Sequence, residues 1–197
     1  MKSMEKLFSG DPWKCPESLS GFGSTLSATK AIRDALPVVF STFGIRSVLD
    51  IPCGDFHWMQ HVDLDGIKYI GADVVSSLIE QNRNYGRDFR LLDITEDPLP
   101  RVDLILCRDC FGHLSLQHCL EALSNIRRSG STYFLVTSYF RHPGNTDKIT
   151  NYTWKTRNMT TKPFSFPPPL VSIDELCEEC YPSLSDKSLG LWKMSDL

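Results

Sequence analysis

The sequence of 197 residues lacks the features that mark several classes of protein. It has no run of 18 apolar residues, so we expect no membrane-spanning helix. It has no long basic stretch beyond the pair Arg127–Arg128, so we expect no nucleic-acid partner. Residues 1–6 lack the apolar core of a signal peptide, and the seven cysteines are therefore expected to be reduced thiols of a cytoplasmic protein.

Two pairs of cysteines nevertheless have the spacing of zinc ligands, Cys107 with Cys110 and Cys177 with Cys180. Zinc-binding turns are typically rich in glycine and polar residues. Here the first pair begins at the end of an apolar stretch and the second lies in Glu-rich sequence. Buried thiols without a metal are therefore the favoured interpretation.

The composition is that of one globular domain. Hydrophobic residues make up 41% and charged residues 23% of the chain, and the formal net charge is −3. A chain of this length can form one complete core. We expect a single domain over residues 1–197, which begins with a polar segment at 1–23.

Apolar patterns predict strands that alternate with helices. Short continuous runs predict strands at 47–51, 69–73, 89–92, 102–107 and 132–138, and two more are expected at 170–173 and 188–194. Three- and four-residue spacings predict helices at 24–43, 76–85 and 115–128 and a short one at 57–62, with Pro37 expected to kink or split the first. This alternation indicates a mostly parallel sheet that is buried on both faces.

The most informative segment is the turn after the first predicted strand. Asp50 comes near the end of that strand, Gly54 lies in the turn, and Asp73 ends the second predicted strand 19 residues beyond Gly54. Ligands of open α/β sheets bind at the carboxyl ends of the strands, and an acid about 20 residues after such a turn can accept hydrogen bonds from both ribose hydroxyls. The spacing therefore predicts a nucleoside-binding site.

The same turn does not fit a dinucleotide. The Gly-x-Gly-x-x-Gly fingerprint is absent, Pro52 removes one backbone N–H, and Asp55 places a negative charge where a pyrophosphate would lie. A cationic ligand with a nucleoside head suits this turn better. A nicotinamide-dependent oxidoreductase is therefore disfavoured.

The sequence Asp-Ile-Pro-Cys-Gly-Asp-Phe at 50–56 resembles the first motif of class I S-adenosylmethionine (SAM)-dependent methyltransferases, with Pro52 where that superfamily usually has its first glycine. The resemblance extends from Gly21 to Trp192. Cys-Arg-Asp-Cys at 107–110 and Asp-Lys-Ser-Leu-Gly-Leu-Trp at 186–192 are similar to segments of a compact family found in bacteria and large algal viruses, often beside or fused to glycosyltransferases.

This resemblance implies an α/β, Rossmann-like class I methyltransferase fold with a mostly parallel seven-stranded sheet and helices on both faces. It implies SAM as the cofactor, a sugar hydroxyl of a glycan (for example of a deoxyhexose) as the methyl acceptor, and an association with glycosyltransferases. Two alternatives stay open: a small-molecule or protein methyltransferase with the same cofactor site, and a nucleoside-binding protein without catalysis.

The expected cofactor site is formed by residues at the ends of the first four strands. Asp73 is the candidate for the ribose hydroxyls, and the resemblance assigns Asp93 to the adenine amino group. Phe56, Val74 and Ile94 are candidates for the apolar walls around the adenine. The complete set of cofactor candidates is Asp50, Pro52, Cys53, Gly54, Asp55, Phe56, Asp73, Val74, Asp93, Ile94 and Arg108.

The loop after the fourth predicted strand contains two candidates for the catalytic base, Asp109 and His113. A sugar hydroxyl is a poor nucleophile until it loses its proton, so a base is needed. The helix predicted from Ser115 is expected to lower the pKa of His113 and to keep it neutral. Asp109 could instead bind Mg²⁺ or Mn²⁺, which would acidify the acceptor.

Residues 140–169 contain five prolines and no predicted secondary structure, which is typical of a lid over a binding site. Aromatic rings and forked hydrogen-bond donors suit the faces and hydroxyls of sugars. The candidates for acceptor binding are Arg141, Trp154, Arg157, Asn158 and Phe164, together with Lys187 outside the lid. A proline-rich loop fixed by its aromatic residues is an equally good interpretation of this segment.

Overall fold

The computed structural model describes residues 13–148, 154–175 and 186–197. These residues form one sheet of seven strands with the order β3-β2-β1-β4-β5-β7-β6. The strands are β1 (Ser47–Asp50), β2 (Lys68–Asp73), β3 (Asp88–Leu91), β4 (Leu104–Cys107), β5 (Tyr133–Tyr139), β6 (Val171–Asp174) and β7 (Lys187–Lys193). β7 is antiparallel to both of its neighbours, whereas the pairs from β3 to β5 are parallel.

The strand order reverses between β1 and β4. β1 pairs with β2 on one side, where Asp50 lies opposite Gly71, and with β4 on the other, where Asp50 lies opposite Leu106. The chain leaves these two strands toward opposite edges of the sheet, which opens a crevice at their carboxyl ends. Open α/β sheets bind ligands in such a crevice.

Within the described residues, three helices cover the two faces of the sheet: α1 (Lys30–Phe43), α2 (Ser76–Asn82) and α3 (Leu116–Arg128). Successive strand residues point to opposite faces, so Val48 packs with α1 and α2, whereas Leu49 packs with α3. Each helix buries one apolar stripe. The stripes are Ile32, Leu36, Val39 and Phe40 in α1, Ile79 in α2, and Cys119, Ala122, Leu123 and Ile126 in α3.

The structure confirms the expected fold: a mostly parallel seven-stranded sheet with helices on both faces. The first helix differs from its prediction, because it begins at Lys30 after a 3₁₀ turn at Phe22–Ser24. Pro37 lies within α1 and does not split it, since the apolar stripe stays buried on both sides of the proline. The short helix expected at 57–62 is a single 3₁₀ turn, Met59–His61.

Five cysteines lie within the described residues, and all five are buried free thiols: Cys15, Cys53, Cys107, Cys110 and Cys119. The pair Cys177 and Cys180 lies outside the described residues. Across the described ranges, no helix has the length and apolar character needed to cross a bilayer.

Candidate active site

A cavity of about 210 Å³ lies at the carboxyl ends of the first four strands, beside the crevice between β1 and β4. The loops after these strands and the first turns of α3 line it. The segment before α1 closes one side through Trp13, Leu19, Ser20 and Ser24. The predicted residues that line the cavity are Pro52, Cys53, Gly54, Asp73, Val74, Asp93, Ile94, Arg108, Asp109 and His113.

Asp73 ends β2 and holds the turn after β1 in place. Its Oδ2 atom accepts a hydrogen bond from the Gly54 N–H at 3.0 Å, and its Oδ1 atom accepts one from the Val75 N–H at 3.0 Å. Burial raises the pKa of Asp73, and these N–H groups oppose that rise. The carboxylate is thus held in a fixed orientation beside the cavity.

Asp93 follows β3 and is fixed by its own turn. Its Oδ1 atom accepts hydrogen bonds from the Thr95 N–H at 2.8 Å and the Thr95 hydroxyl at 2.6 Å. Asp93 and Ile94 line the cavity together with Val74 from the loop after β2. A carboxylate beside two aliphatic walls can receive a flat, amino-bearing ring such as adenine.

The charged residues lining the cavity are mostly acidic. Five carboxylates face one guanidinium, that of Arg108. The carboxylates are Asp73, Asp93, Glu96, Asp109 and Glu121. A cavity with this balance attracts a cationic ligand and repels a pyrophosphate.

Asp109 belongs to a cluster of four charges, in which Arg108 and Glu175 are buried and Asp109 and Lys187 are partly buried. Its Oδ2 atom lies 2.6 Å from Lys187 Nζ and 3.3 Å from Arg108 Nη1. The Oε2 atom of Glu175 lies 2.9 Å from Lys187 Nζ and 2.7 Å from Arg108 Nη2. Burial alone would raise the pKa of Asp109, but Arg108 and Lys187 outweigh it and lower the pKa to about 2. Asp109 is therefore ionised, and its charge is already balanced by two cations.

The backbone of Asp109 is also unusual. Its φ of 53° lies in the left-handed region, which costs energy for a residue with a side chain. The Thr137 hydroxyl accepts the Asp109 N–H at 2.9 Å and supports this conformation. Strain of this kind is commonly found at functional sites.

His113 lies between two indole rings at the edge of the cavity. Its ring centroid is 4.8 Å from that of Trp154 and 5.6 Å from that of Trp13. The pKa of His113 is lowered to about 4, mainly by burial; Asp109 opposes this shift, and Lys155 and Lys187 add to it. The imidazole is neutral, as the sequence predicted, but burial rather than the following helix is the main cause.

Three predicted cofactor residues do not line the cavity. Asp50 is buried below it and accepts the Tyr69 hydroxyl at 2.7 Å. Phe56 packs in the core against Tyr69 and Phe89, with ring centroids 5.2 Å from each. The charge of Asp55 is directed at the segment before α1, where it accepts three hydrogen bonds. The sequence placed all three near the turn correctly but could not show which way their side chains point.

The expected lid over 140–169 is largely a structural segment, which corrects three acceptor candidates. Arg157 is buried and donates to the carbonyl oxygens of Phe111, Leu114 and Thr146 and to Asp147. Asn158 is buried as well, and its amide donates to the carbonyl oxygens of residues 140 and 142. Phe164 belongs to the core around α3. These side chains have protein partners instead of a free face.

The other three acceptor candidates lie in different surroundings. Arg141 is exposed and does not line the cavity, and its backbone N–H donates to Asp186. Lys187 belongs to the four-charge cluster, next to the cavity instead of in it. Trp154 packs on Gly112 and against His113, so it supports the wall from behind.

Glu175, Trp13 and Ser20 lie at the site although the sequence pattern did not predict a role for them there. Glu175 follows β6 and is recognisable only when the fold brings it to Arg108, 67 residues away. Of these residues, Trp13 alone could have been recognised from the sequence, because a single indole in a polar segment often marks a contact.

The expected divalent metal has no support among the residues that the structure describes. No group of three or more metal-ligating side chains occurs in these ranges. The carboxylate of Asp109, the expected ligand, is already paired with Lys187 and Arg108.

The fold is similar to those of solved methyltransferases. The N-methyltransferase NodS from Bradyrhizobium japonicum, solved with S-adenosylhomocysteine (SAH), has a TM-score of 0.65 at 12% identity, over 98% of this chain and 96% of that one. The 1,6-didemethyltoxoflavin-N1-methyltransferase from Burkholderia thailandensis, also solved with SAH, has a TM-score of 0.60 at 15% identity, over 83% and 77% of the two chains. The architecture is therefore the Rossmann-like fold of class I methyltransferases.

One curated protein is similar in sequence. The malonyl-[acyl-carrier protein] O-methyltransferase from Yersinia pestis is 34% identical over 86 residues, which is 41% of this chain and 31% of the relative. The chain thus spans about a third of the length of the curated relative it matches. No protein-family model matches the chain.

Proposed function

We propose that this protein is a SAM-dependent methyltransferase. The observation that carries the proposal is the acidic cavity at the reversal of strand order, with Asp73 and Asp93 fixed beside it. SAM combines a nucleoside with a sulfonium cation, so its two ends match the carboxylates at the strand ends and the charge of the cavity. The fold shared with SAH-bound methyltransferases agrees with this assignment.

The residues suggest how the cofactor is held. Asp73 accepts the ribose hydroxyls, while Asp93, Ile94 and Val74 surround the adenine. Gly54 and Arg108 would hold the methionine portion, and Asp109 and His113 line the same cavity. A nicotinamide dinucleotide fits less well, because its pyrophosphate would meet carboxylates without a glycine-rich loop.

Methyl transfer is an in-line displacement at the methyl carbon. The bound cofactor would supply an activated methyl group, and SAH would be its leaving group. The proton of the acceptor leaves to a base, and His113 is the candidate because it is neutral and lines the cavity. Asp109 is already paired with two cations and orients the loop instead.

For the acceptor, we propose a sugar hydroxyl of a glycan. The proposal is supported by the sequence resemblance at 107–110 and 186–192 and by Trp13, whose indole lines the cavity beside His113. An indole offers the flat apolar face on which sugar rings stack. The rival acceptors are an amine and a hydroxyl or carboxylate of a small molecule. Each of them would be used with the same cofactor site.

The cofactor assignment is tested by thermal unfolding with SAH and with NAD. A ligand at 100 times its dissociation constant stabilises the folded state by about 2.7 kcal/mol, so SAH should raise the melting temperature while NAD should not. Asp73→Ala should weaken SAH binding by about 1.5–3 kcal/mol, the range for a hydrogen bond to a charged group. The exposed Asp65→Ala is the matched control. Equal stabilisation by NAD, or none by SAH, would refute the assignment.

The acceptor and the base are tested together by SAH release from SAM. Glycans and free sugars, amines and carboxylic acids serve as three separate acceptor sets, and we expect turnover with the first. With a productive acceptor, His113→Ala should lower turnover about 10²–10⁴-fold and change the dissociation constant of SAH less than about tenfold. Turnover only with an amine or an acid would overturn the glycan proposal and keep the cofactor assignment.

A further inference from the structure

Residues 13–24, called the N-terminal cover here, form one wall of the cavity. Trp13, Leu19, Ser20 and Ser24 all line it, opposite the loops after the strands. Most of this segment has no regular secondary structure, apart from the 3₁₀ turn at Phe22–Ser24. Its position must therefore be fixed by contacts with the rest of the protein.

Asp55 makes most of these contacts at the centre of the cover. Its Oδ2 atom accepts hydrogen bonds from the Ser18 hydroxyl at 2.8 Å and the Leu19 N–H at 2.7 Å, and its Oδ1 atom accepts one from the Ser20 hydroxyl at 3.0 Å. The Ser20 oxygen in turn accepts the Asp55 N–H at 3.0 Å. Both carboxylate oxygens of Asp55 are thus used by the cover.

Gly54 provides the space for this contact. A Cβ atom at position 54 would collide with the Ser20 hydroxyl, and the φ of 55° at Gly54 is itself unfavourable for any other residue. The cover therefore packs directly on the backbone of the turn after β1, which is the predicted cofactor-binding turn.

Two further contacts fix the cover on either side of Asp55. Glu17 Oε1 lies 2.9 Å from His57 Nε2, and the carbonyl oxygen of Gly23 accepts a hydrogen bond from Arg108 Nη2 at 2.7 Å. The second contact joins the cover to the charge cluster that contains Asp109. The cover is thus attached to the turn after β1 and to the loop after β4, the two loops on either side of the crevice.

We propose that the N-terminal cover is part of the cofactor site and that Asp55 is a positioning residue, which acts through the cover and does not touch the cofactor. This inference rests on the proposed function. If the cover opens, the cavity loses a wall. The apparent dissociation constant of the cofactor then equals the intrinsic constant divided by the fraction of molecules in which the cover is closed. Asp55 and Ser18 then affect cofactor binding only by setting that fraction.

The test is a double-mutant cycle on the dissociation constant of SAH, measured by calorimetry. Ser18 does not line the cavity, so Ser18→Ala can act only through the cover. We expect Asp55→Asn to raise the dissociation constant about tenfold or more, Ser18→Ala to raise it several-fold, and the double variant to be no worse than Asp55→Asn alone. The exposed Asp34→Asn is the control. Additive effects, or normal affinity in Ser18→Ala, would overturn the proposal.

A second measurement uses the ligand-free protein, so it does not depend on the cofactor assignment. Trypsin cleavage after Lys14 reports opening of the cover, because a protease cuts the open form. We expect cleavage there to be about tenfold faster in Asp55→Asn than in the wild type and unchanged in Asp34→Asn. An unchanged rate in Asp55→Asn would overturn the role of Asp55. Failure of the wild type to bind SAH would instead refute the proposed function.

Discussion

The ammonium group of Lys187 lies 2.6 Å from the Oδ2 atom of Asp109, although 78 residues separate them in the chain. Lys187 begins β7, and Asp109 follows β4. The contact connects the antiparallel part of the sheet to the loop beside the cavity. Because Asp109 is in the left-handed region, the ion pair also helps to hold a backbone conformation that would otherwise be unfavourable.

The stability that this ion pair contributes should depend on acid pH. The pKa of Asp109 is lowered to about 2 from its ordinary value of 3.8, so its ionised form stabilises the fold. The contribution is fully present above pH 3.8 and is lost as the pH falls through 2. We expect Asp109→Asn to be less stable than the wild type at pH 6, and the difference to shrink toward pH 2. Urea unfolding at several pH values measures this stability difference between the two proteins. A difference that stays constant from pH 6 to pH 2 would contradict the assigned pKa of Asp109.

Asp50 should have the opposite pH dependence. Its pKa is raised from 3.8 to about 7, mainly by burial and also by the charge of Asp73, while the Tyr69 hydroxyl opposes the shift. The protonated form therefore stabilises the fold, and this contribution is lost as the pH rises through 7. Relative to Asp50→Asn, the wild type should lose about 1 kcal/mol per pH unit between pH 4 and 7. The same unfolding measurements test this, and parallel stability curves for the two proteins would refute it.

Arg157 should matter for stability and not for acceptor recognition. Its guanidinium makes four hydrogen bonds inside the segment at 140–169 and to the loop after β4, and a lysine ammonium cannot reproduce that fork. We expect Arg157→Lys to lower the free energy of unfolding by about 1–3 kcal/mol, the range for buried carbonyl oxygens that lose their hydrogen-bond donors. The exposed Arg141→Ala should change it by less than about 0.5 kcal/mol. At low temperature, where the Arg157→Lys protein is folded, it should bind SAH normally. If this variant instead has normal stability and impaired turnover, the lid interpretation is restored.

Gly112 should be required because Trp154 packs on its backbone. A Cβ atom at position 112 would lie 2.5–2.6 Å from three atoms of the indole ring. We expect Gly112→Ala to cost about 1–3 kcal/mol of stability, the range for overpacking, and to displace the ring that contacts His113. In a Trp154→Ala background the cost should largely disappear. Gly144→Ala is the matched control, because nothing lies within 4 Å of the added atom.

The sequence by itself determined the order of strands and helices and the positions of Asp73, Asp93, Asp109 and His113. Each of these residues lies at or just after a strand end or in the loop that follows it. In a parallel sheet, the ends of neighbouring strands meet at one edge, so local patterns suffice to bring such residues together. Gly54 likewise lies in the turn that directly follows β1.

Only the tertiary structure decided which polar side chains face the cavity. Asp55 is directed toward the N-terminal cover because Ser18 and Ser20, more than 30 residues earlier, supply hydroxyl donors that fit both of its oxygens. Arg157 is buried because the loop after β4 presents carbonyl oxygens to it. A buried polar group must find a partner, and a sequence pattern shows neither which distant partner the fold provides nor whether any hydrogen-bonding capacity remains for a ligand.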